Sequence, residues 1–323
     1  MFSKKLLIPL LSLSLLVTPA YSSHAAENAE AAETSVEGQG MLSPSSSSES
    51  SESVFNGSGA GTSSEPVTDE KLETILKQVQ SQLPAENGTW AVFISDLVNG
   101  TEGNLNDQKM QAASLIKLYI MGAVYENYDQ ITGQYGRDSV DSNLYSMITV
   151  SDNDAANTLT TYLGGGDSAA GMQAVNSFCQ AHGYDQTHMG RMLLASNEND
   201  DNYTSVGDCG HLLQEIYKQD TSGYTHATDM FNLLKAQTRC NKIPAQLPEG
   251  VKTANKTGEL DNVENDAGII YDSKNDVVIV FMSQNLSSAG SAQNTIATLS
   301  RTIYDYYNYC LLYTSPSPRD RQK

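Results

Sequence analysis

The sequence predicts a mixed α/β fold of the α+β kind: an antiparallel sheet assembled from the N- and C-terminal segments and flanked by helices, with an all-helical lobe inserted between them. Two observations carry that prediction. β-type alternation occurs in Thr89–Leu97 and returns in Val251–Thr257, Ala267–Tyr271 and Val277–Ser283. From about Asp138 to Ala236, by contrast, apolar residues recur at helical spacing throughout. Strands far apart in sequence with helices between them imply one sheet and an inserted lobe.

Taken in order, Thr68 followed by Asp69 and Glu70 is a helix start, and Leu72, Ile75, Leu76 and Val79 repeat on one face until Pro84 stops the helix. Thr89–Leu97 then reads as a strand, and Asn99-Gly100 as a two-residue turn into a weaker strand. A second helix begins at Ser114, with Leu115, Leu118, Tyr119 and Met121 placing apolar groups all round it, as in a buried helix. The lobe follows in helical stretches at Leu144–Ile148, Ala155–Leu163, Gly171–His182, Val206–Tyr217 and Thr228–Ala236. The turn Asp272-Ser273-Lys274-Asn275 joins two of the later strands, and Ala292–Tyr307 closes the chain with a helix.

Lys4 and Lys5 precede an apolar run, Leu6–Val17, too short to anchor in a bilayer, with small residues at Ser23 and Ala25. This predicts a secretory signal over 1–25, and so a secreted or cell-wall-associated protein without a stable membrane anchor, since no nearby cysteine would accept a lipid. Residues 26–67, rich in Ser, Glu, Ala and Gly, have too little apolar surface to fold and read as a disordered linker. The folded domain is expected over 68–309. The last stretch, 310–323, contains Cys310–Asp320, which back-translates to a transposase-type sequencing adapter and is read as an artefact of a contig end.

The net charge of −19 excludes a general phosphate-binding surface, so no nucleic-acid partner is expected. Cys179, Cys209 and Cys240 lack metal-ligand spacing, so neither a zinc site nor a disulfide framework is supported, although one pair among them remains open. No cofactor or metal is expected.

Three short motifs carry chemistry. In Ser114-Leu115-Ile116-Lys117, side chains three apart share a helix face, so a lysine in a desolvated site stands ready to take the serine proton. Ser151-Asp152-Asn153 comes next, followed by Asp154-Ala155-Ala156-Asn157, and Lys256-Thr257-Gly258 lies on a predicted strand. Each has a plain alternative: Ser114 as a helix cap, Asp152 as a structural residue, Lys256 as a solvated charge on an edge strand.

The order S-x-x-K, S-D-N, K-T-G resembles that of class A β-lactamases and penicillin-binding proteins. The likeness runs from about Leu72 to Tyr307 and includes Leu-Pro-Glu-Gly250 and Gly268-Ile269-Ile270. It implies the β-lactamase/transpeptidase fold and a set of roles. Ser114 would be acylated, with Lys117 sharing its proton. Ser151 would pass a proton to the leaving nitrogen, helped by Lys256. Asn153 would hold the substrate amide, Thr257 and Lys256 its carboxylate, and the N–H groups of Ser114 and Glu259 the oxyanion. Gly258 and Asn197 complete the expected substrate-binding set. The implied partner is a small β-lactam or a peptidoglycan stem peptide, bound by a monomer.

The resemblance fails in three places. Where class A enzymes carry the deacylating glutamate of E-x-x-L-N, this chain has Leu193 in Arg191-Met192-Leu193-Leu194-Ala195-Ser196-Asn197, with Glu198, Asp200 and Asp201 beyond it. Ala267 stands where an arginine often grips the substrate. The segment between Lys117 and Ser151 is short. A slow serine acyl-enzyme hydrolase is therefore expected. The alternatives are a penicillin-binding or D,D-carboxypeptidase-like enzyme, and a non-catalytic wall-binding module. His182, His188, His211 and His226 have no motif partner and are read as structural, and His24 lies in the signal.

Overall fold

The computed structural model describes residues 70–219 and 224–309. The predicted signal, the linker, the Thr68–Asp69 helix start and the 310–323 tail lie outside the described residues.

Helix α1 (Glu70–Gln82) leads into strands β1 (Thr89–Asp96), β2 (Thr101–Leu105) and the short β3 (Met110–Gln111). The lobe comprises α2 (Ile116–Glu126), α3 (Tyr128–Tyr135), α4 (Arg137–Thr149), α5 (Asn153–Leu163), α6 (Ser168–Ala181), the short β4 (Tyr203–Thr204), α7 (Val206–Lys218) and α8 (Ala227–Lys235). Strands β5 (Lys252–Leu260), β6 (Val263–Tyr271) and β7 (Val277–Gln284) and helix α9 (Ala289–Tyr309) complete the order. Every pairing in the main sheet is antiparallel, and the strand order is β2-β1-β7-β6-β5. The first and last thirds of the chain thus share one sheet, as expected.

Both faces of the central strands are apolar because both are covered. Trp90, Val92 and Ile94 of β1 and Val277, Ile279 and Phe281 of β7 pack in one core with α1 and α9. Ala91, Phe93, Val278, Val280 and Met282, pointing the other way, pack against the lobe. Helix α2 runs through that second core with Ile116 to Tyr125 all buried. Helix α6 approaches it closely at Gly122, where a Cβ would lie 2.4 Å from the Phe178 ring.

Three sequence expectations are corrected. The β1–β2 connection spans four residues, since Asp96 pairs with Thr101. The buried Asp96 carboxylate organises this wider turn, accepting from the backbone N–H groups of Val98 and Asn99 at 3.0 Å each. The lobe is not helical throughout: between α6 and α7 the chain runs through turns and bends, with His188 bridging Tyr203. Helix α2 starts at Ile116 rather than Ser114, which sits in a preceding 3-10 turn, Ala113–Leu115.

Candidate active site

Ser114 is presented by a strained turn. Ala113 has φ +48°, a left-handed conformation that costs a non-glycine residue on the order of 1–3 kcal/mol. The surroundings hold it there: Ala112 donates to Asn202 O at 2.9 Å, and Asn265 Nδ2 donates to the carbonyls of Gln111 at 2.9 Å and Ala112 at 3.2 Å. No side chain caps this turn or α2, so Ser114 is not a helix cap. It lines a cleft of about 520 Å³ together with Asn153, Leu193, Asn197 and Glu259.

Lys117 lies one turn further on and is fully buried. Its Nζ is 3.2 Å from Ser114 Oγ, 2.6 Å from Ser151 O, 3.1 Å from Ser151 Oγ and 2.7 Å from Asn153 Oδ1. Burial pushes the ammonium down to about 7, the charge of Asp152 opposing and that of Arg239 adding to the effect. A neutral amine suits these partners: two N–H groups serve the Ser151 carbonyl and Asn153 Oδ1, leaving the lone pair for a hydroxyl proton. Asp152 itself caps α5, accepting from Ala155 N at 2.7 Å. Ser151, just before it, has φ +61°.

The third motif enters from β5. This is an edge strand, yet Lys256 is fully buried and points inward, its Nζ 2.8 Å from Ser151 Oγ and 2.7 Å from Thr257 O. It is not a solvated edge charge. Burial lowers its proton affinity strongly, and the neighbouring charges of Lys117 and Arg239 lower it further. Gly258 lets β5 close on the Ser114 turn, for a Cβ there would sit 2.9 Å from Ala112 O and 3.2 Å from Ser114 N. Thus Ser114, Lys117, Ser151, Asn153 and Lys256 form one hydrogen-bonded cluster beneath the cleft, which Ser114, Asn153 and Glu259 line, whereas Thr257 and Gly258 follow Lys256 on β5 and are not among the lining residues.

The β-lactamase enzyme family matches residues 71–135 and 134–307. The chain belongs to that family. No curated protein matches it. Among solved structures, PBP-A is 23% identical with a TM-score of 0.64, over 72% of this chain and 96% of that one. A β-lactamase from Chitinophaga pinensis is 19% identical with a TM-score of 0.63, over 73% and 100%. A leucine-to-glutamate variant of PBP-A, described as an acyl-enzyme complex with penicillin G, is 23% identical with a TM-score of 0.62, over 72% and 96%. At these identities the likeness concerns the β-lactamase/transpeptidase fold.

Within this β-lactamase-like serine hydrolase family, the chain differs at the loop after α6. Leu193 lines the cleft, 8% exposed; the carboxylates that share the cleft, Glu259 and Asp261, come from the end of β5 and the turn after it, not from this loop. Asp201 is tied to Arg191 Nε at 2.7 Å and to Gln111 Nε2 at 3.0 Å, and Asp200 to His188 at 2.7 Å. Glu198 is exposed. Neither it nor Asp200 nor Asp201 lines the cleft. Asn197 does, with its Nδ2 3.5 Å from Asp201 Oδ2. Asn157, assigned no role from sequence, holds the loop. Its place one helical turn after Asn153, on the same face of α5, was the available signal.

On β6, Ala267 pairs with Lys256 and brings no charge. Two cations instead converge on Glu259: Arg239, 3.0 Å from Oε2, and the buried Lys242, 3.1 Å from Oε1. Sequence reasoning missed both because they sit in the irregular segment before β5. Burial pushes the Glu259 carboxyl up, but Lys242 and Arg239 outweigh it and hold the group below its usual range. The four described histidines each meet a surface carboxylate instead of the cleft. Cys179, Cys209 and Cys240 are free thiols. No cluster of metal-ligating residues occurs among the described residues. A cavity of about 770 Å³ opens beside the β1–β2 turn, but its lining lacks a nucleophile–base pair like Ser114–Lys117.

Proposed function

We propose that the protein is a class A-type serine acyl-enzyme hydrolase whose Ser114 is acylated by β-lactams or by D-Ala-D-Ala-like stem peptides, and which releases the acyl group slowly. The observation that carries this reading is the single amine, Lys117 Nζ, standing 3.2 Å from Ser114 Oγ and 3.1 Å from Ser151 Oγ. Neutral Lys117 takes the Ser114 proton as Oγ attacks the carbonyl carbon. Backbone N–H groups of Ser114 and Glu259 receive the oxyanion, an arrangement worth a few kcal/mol in comparable hydrolases. As the C–N bond breaks, Ser151 protonates the leaving nitrogen and is reprotonated by Lys117. Lys256, 2.8 Å from Ser151 Oγ, steadies that hydroxyl through the exchange. Asn153 receives the substrate amide.

Water must then attack the ester, and a leucine side chain cannot take its proton. Leu193 therefore favours a penicillin-binding or D,D-carboxypeptidase-like enzyme that β-lactams trap over a fast β-lactamase. A non-catalytic wall-binding module has no use for a desolvated lysine beside a serine, since burying that amine is unfavourable without a task for it. The reading includes export, action on the cell wall as a monomer, and no cofactor. Intact mass after exposure to a fluorescent penicillin tests it. A persistent adduct absent from Ser114→Ala is expected, rapid product with free enzyme would indicate a β-lactamase, and no adduct would reject acylation.

A further inference from the structure

Backbone N–H groups stabilise a developing oxyanion only if they are fixed before the charge appears. In the acylation reading above those groups belong to Ser114 and Glu259, and two adjacent residues of β6, Asn265 and Glu264, lead to what fixes each of them. Asn265 serves the first: its Nδ2 donates to the carbonyls of Gln111 at 2.9 Å and Ala112 at 3.2 Å, in the chain that presents Ser114.

Glu264 serves the second through Lys242. Glu259 pairs with Glu264 across β5 and β6, and successive side chains of a strand alternate between faces. Both carboxylates therefore lie on the face away from the Ser114 turn, on which Gly258 closes. Lys242 is fully buried between them, its Nζ 2.7 Å from Glu264 Oε2 and 3.1 Å from Glu259 Oε1. Glu264 is itself tied to α9, where Gln293 Nε2 donates to its other oxygen at 2.8 Å.

The remaining neighbour of this ammonium is the carbonyl oxygen of Gly258, at 3.4 Å. That carbonyl belongs to the same peptide unit as the Glu259 N–H. In a planar trans peptide the C=O and N–H point in opposite directions, so a cation at the oxygen and an oxyanion at the hydrogen sit at the two ends of one dipole. The contact is long for a hydrogen bond, but a charge acts on a dipole without close alignment, and more strongly where water is excluded. The ammonium polarises the peptide and makes its N–H a better donor. Its charge also offsets Glu259 and Glu264, which would otherwise repel an oxyanion forming at that N–H.

Resting on the acylation reading, we propose that Lys242 is a positioning residue for acyl transfer: from the face of β5 away from Ser114, it fixes and polarises the Gly258–Glu259 peptide whose N–H receives the oxyanion. Lys242 does not line the cleft, so it acts through the peptide and not on the substrate.

The test compares two variants that differ by the ammonium alone, Glu264→Gln and Lys242→Met with Glu264→Gln. Each, with the unmodified protein, is acylated by benzylpenicillin isotope-labelled at the β-lactam carbonyl carbon. Intact mass gives the rate, and difference infrared spectroscopy gives the carbonyl band of the acyl ester, whose oxygen rests on the same N–H groups. Relative to Glu264→Gln, the double variant should be acylated about tenfold more slowly, a part of the roughly 10²–10³-fold that loss of a whole oxyanion donor costs. Its carbonyl band should move to higher wavenumber. Slower acylation with an unmoved band would mean that Lys242 serves the fold alone, and an unmoved rate would mean that it serves no step of acylation. Either result would overturn the inference while leaving acylation at Ser114 standing. Failure of the unmodified protein to form an adduct would overturn the acylation reading, and this inference with it. Should the methionine variant not fold, Lys242→Gln with Glu264→Gln, a pair of neutral amides able to bond to each other, decides by the same two measurements.

Discussion

Asn157 and Leu193 hold each other by a reciprocal pair of hydrogen bonds: Leu193 N donates to Asn157 Oδ1 at 2.8 Å, and Asn157 Nδ2 donates to Leu193 O at 3.0 Å. The backbone of residue 193 is thereby fixed to α5 whatever side chain it bears, and the leucine side chain is left lining the cleft beside Ser114. A carboxylate placed there should stand near the acyl ester without disturbing the loop. Leu193→Glu is therefore expected to shorten the lifetime of the penicillin adduct by about 10²-fold or more, the lower range for a positioned general base. Intact mass against time after removal of free penicillin reads it. An adduct as long-lived as in the unmodified protein would mean that the loop, and not the missing base, blocks water.

Lys117 should set the pH dependence of acylation. Its proton affinity is lowered to about 7, first by burial. The neutral amine is the base, so the rate rises with pH as the ammonium loses its proton, levels off above about 7, and falls by about tenfold per pH unit well below it. Lys117→Ala should slow acylation by about 10²–10⁴-fold at neutral pH. Stopped-flow acylation between about pH 5 and 9 measures the profile, and a flat profile would remove Lys117 from the role of base.

How far the sequence reached into this site follows from what each residue rests on. Ser114, Lys117, Ser151 and Lys256 were legible because each belongs to a short motif whose order along the chain is recognisable. Only Lys117 and Lys256 stand on a helix and a strand, Ser114 lying in a 3-10 turn and Ser151 in the loop before α5. The sheet was legible because its strands alternate between two apolar faces. Arg239, Lys242 and Asn157 were not, because their roles come from irregular segments meeting across long sequence separations, as in Arg239 with Glu259 and Asn157 with Leu193. The four-residue β1–β2 turn was misread because Asn99-Gly100 is a strong local signal, and the buried Asp96 carboxylate that overrides it can be recognised only once β1 is seen packed on both faces.

Gly258 should be intolerant of a single methyl group. A Cβ there would press against Ala112 O at 2.9 Å and the backbone nitrogens of Ser114 and Leu115 at 3.2 Å, all parts of the turn that presents the nucleophile. These neighbours are backbone atoms that cannot rotate away, so β5 must shift outward by a few tenths of an ångström or more. Gly258→Ala is expected to destabilise the fold by about 1–3 kcal/mol, as overpacking does. It should slow acylation by up to about 10²-fold, because a small misplacement of donors and nucleophile is amplified in rate. Thermal unfolding and the acylation rate, measured together, test this. A rate within twofold of the unmodified protein would show that β5 and the Ser114 turn are not in the contact described.

Lys242 and Glu264 offer a test that does not depend on catalysis. Nζ and Oε2 are 2.7 Å apart, both side chains are almost wholly shielded from water, and Glu264 Oε1 also accepts from Gln293 Nε2 at 2.8 Å. Removing one partner of such a pair strands a charge in a low-dielectric interior, whereas removing both charges does not. Lys242→Met alone should therefore destabilise by about 3–5 kcal/mol, and Lys242→Met with Glu264→Gln by markedly less. Urea unfolding of the single and double variants closes the cycle, and the coupling between the two positions should be on the order of 1–3 kcal/mol. Additive losses would mean that the two side chains do not sense each other's charge.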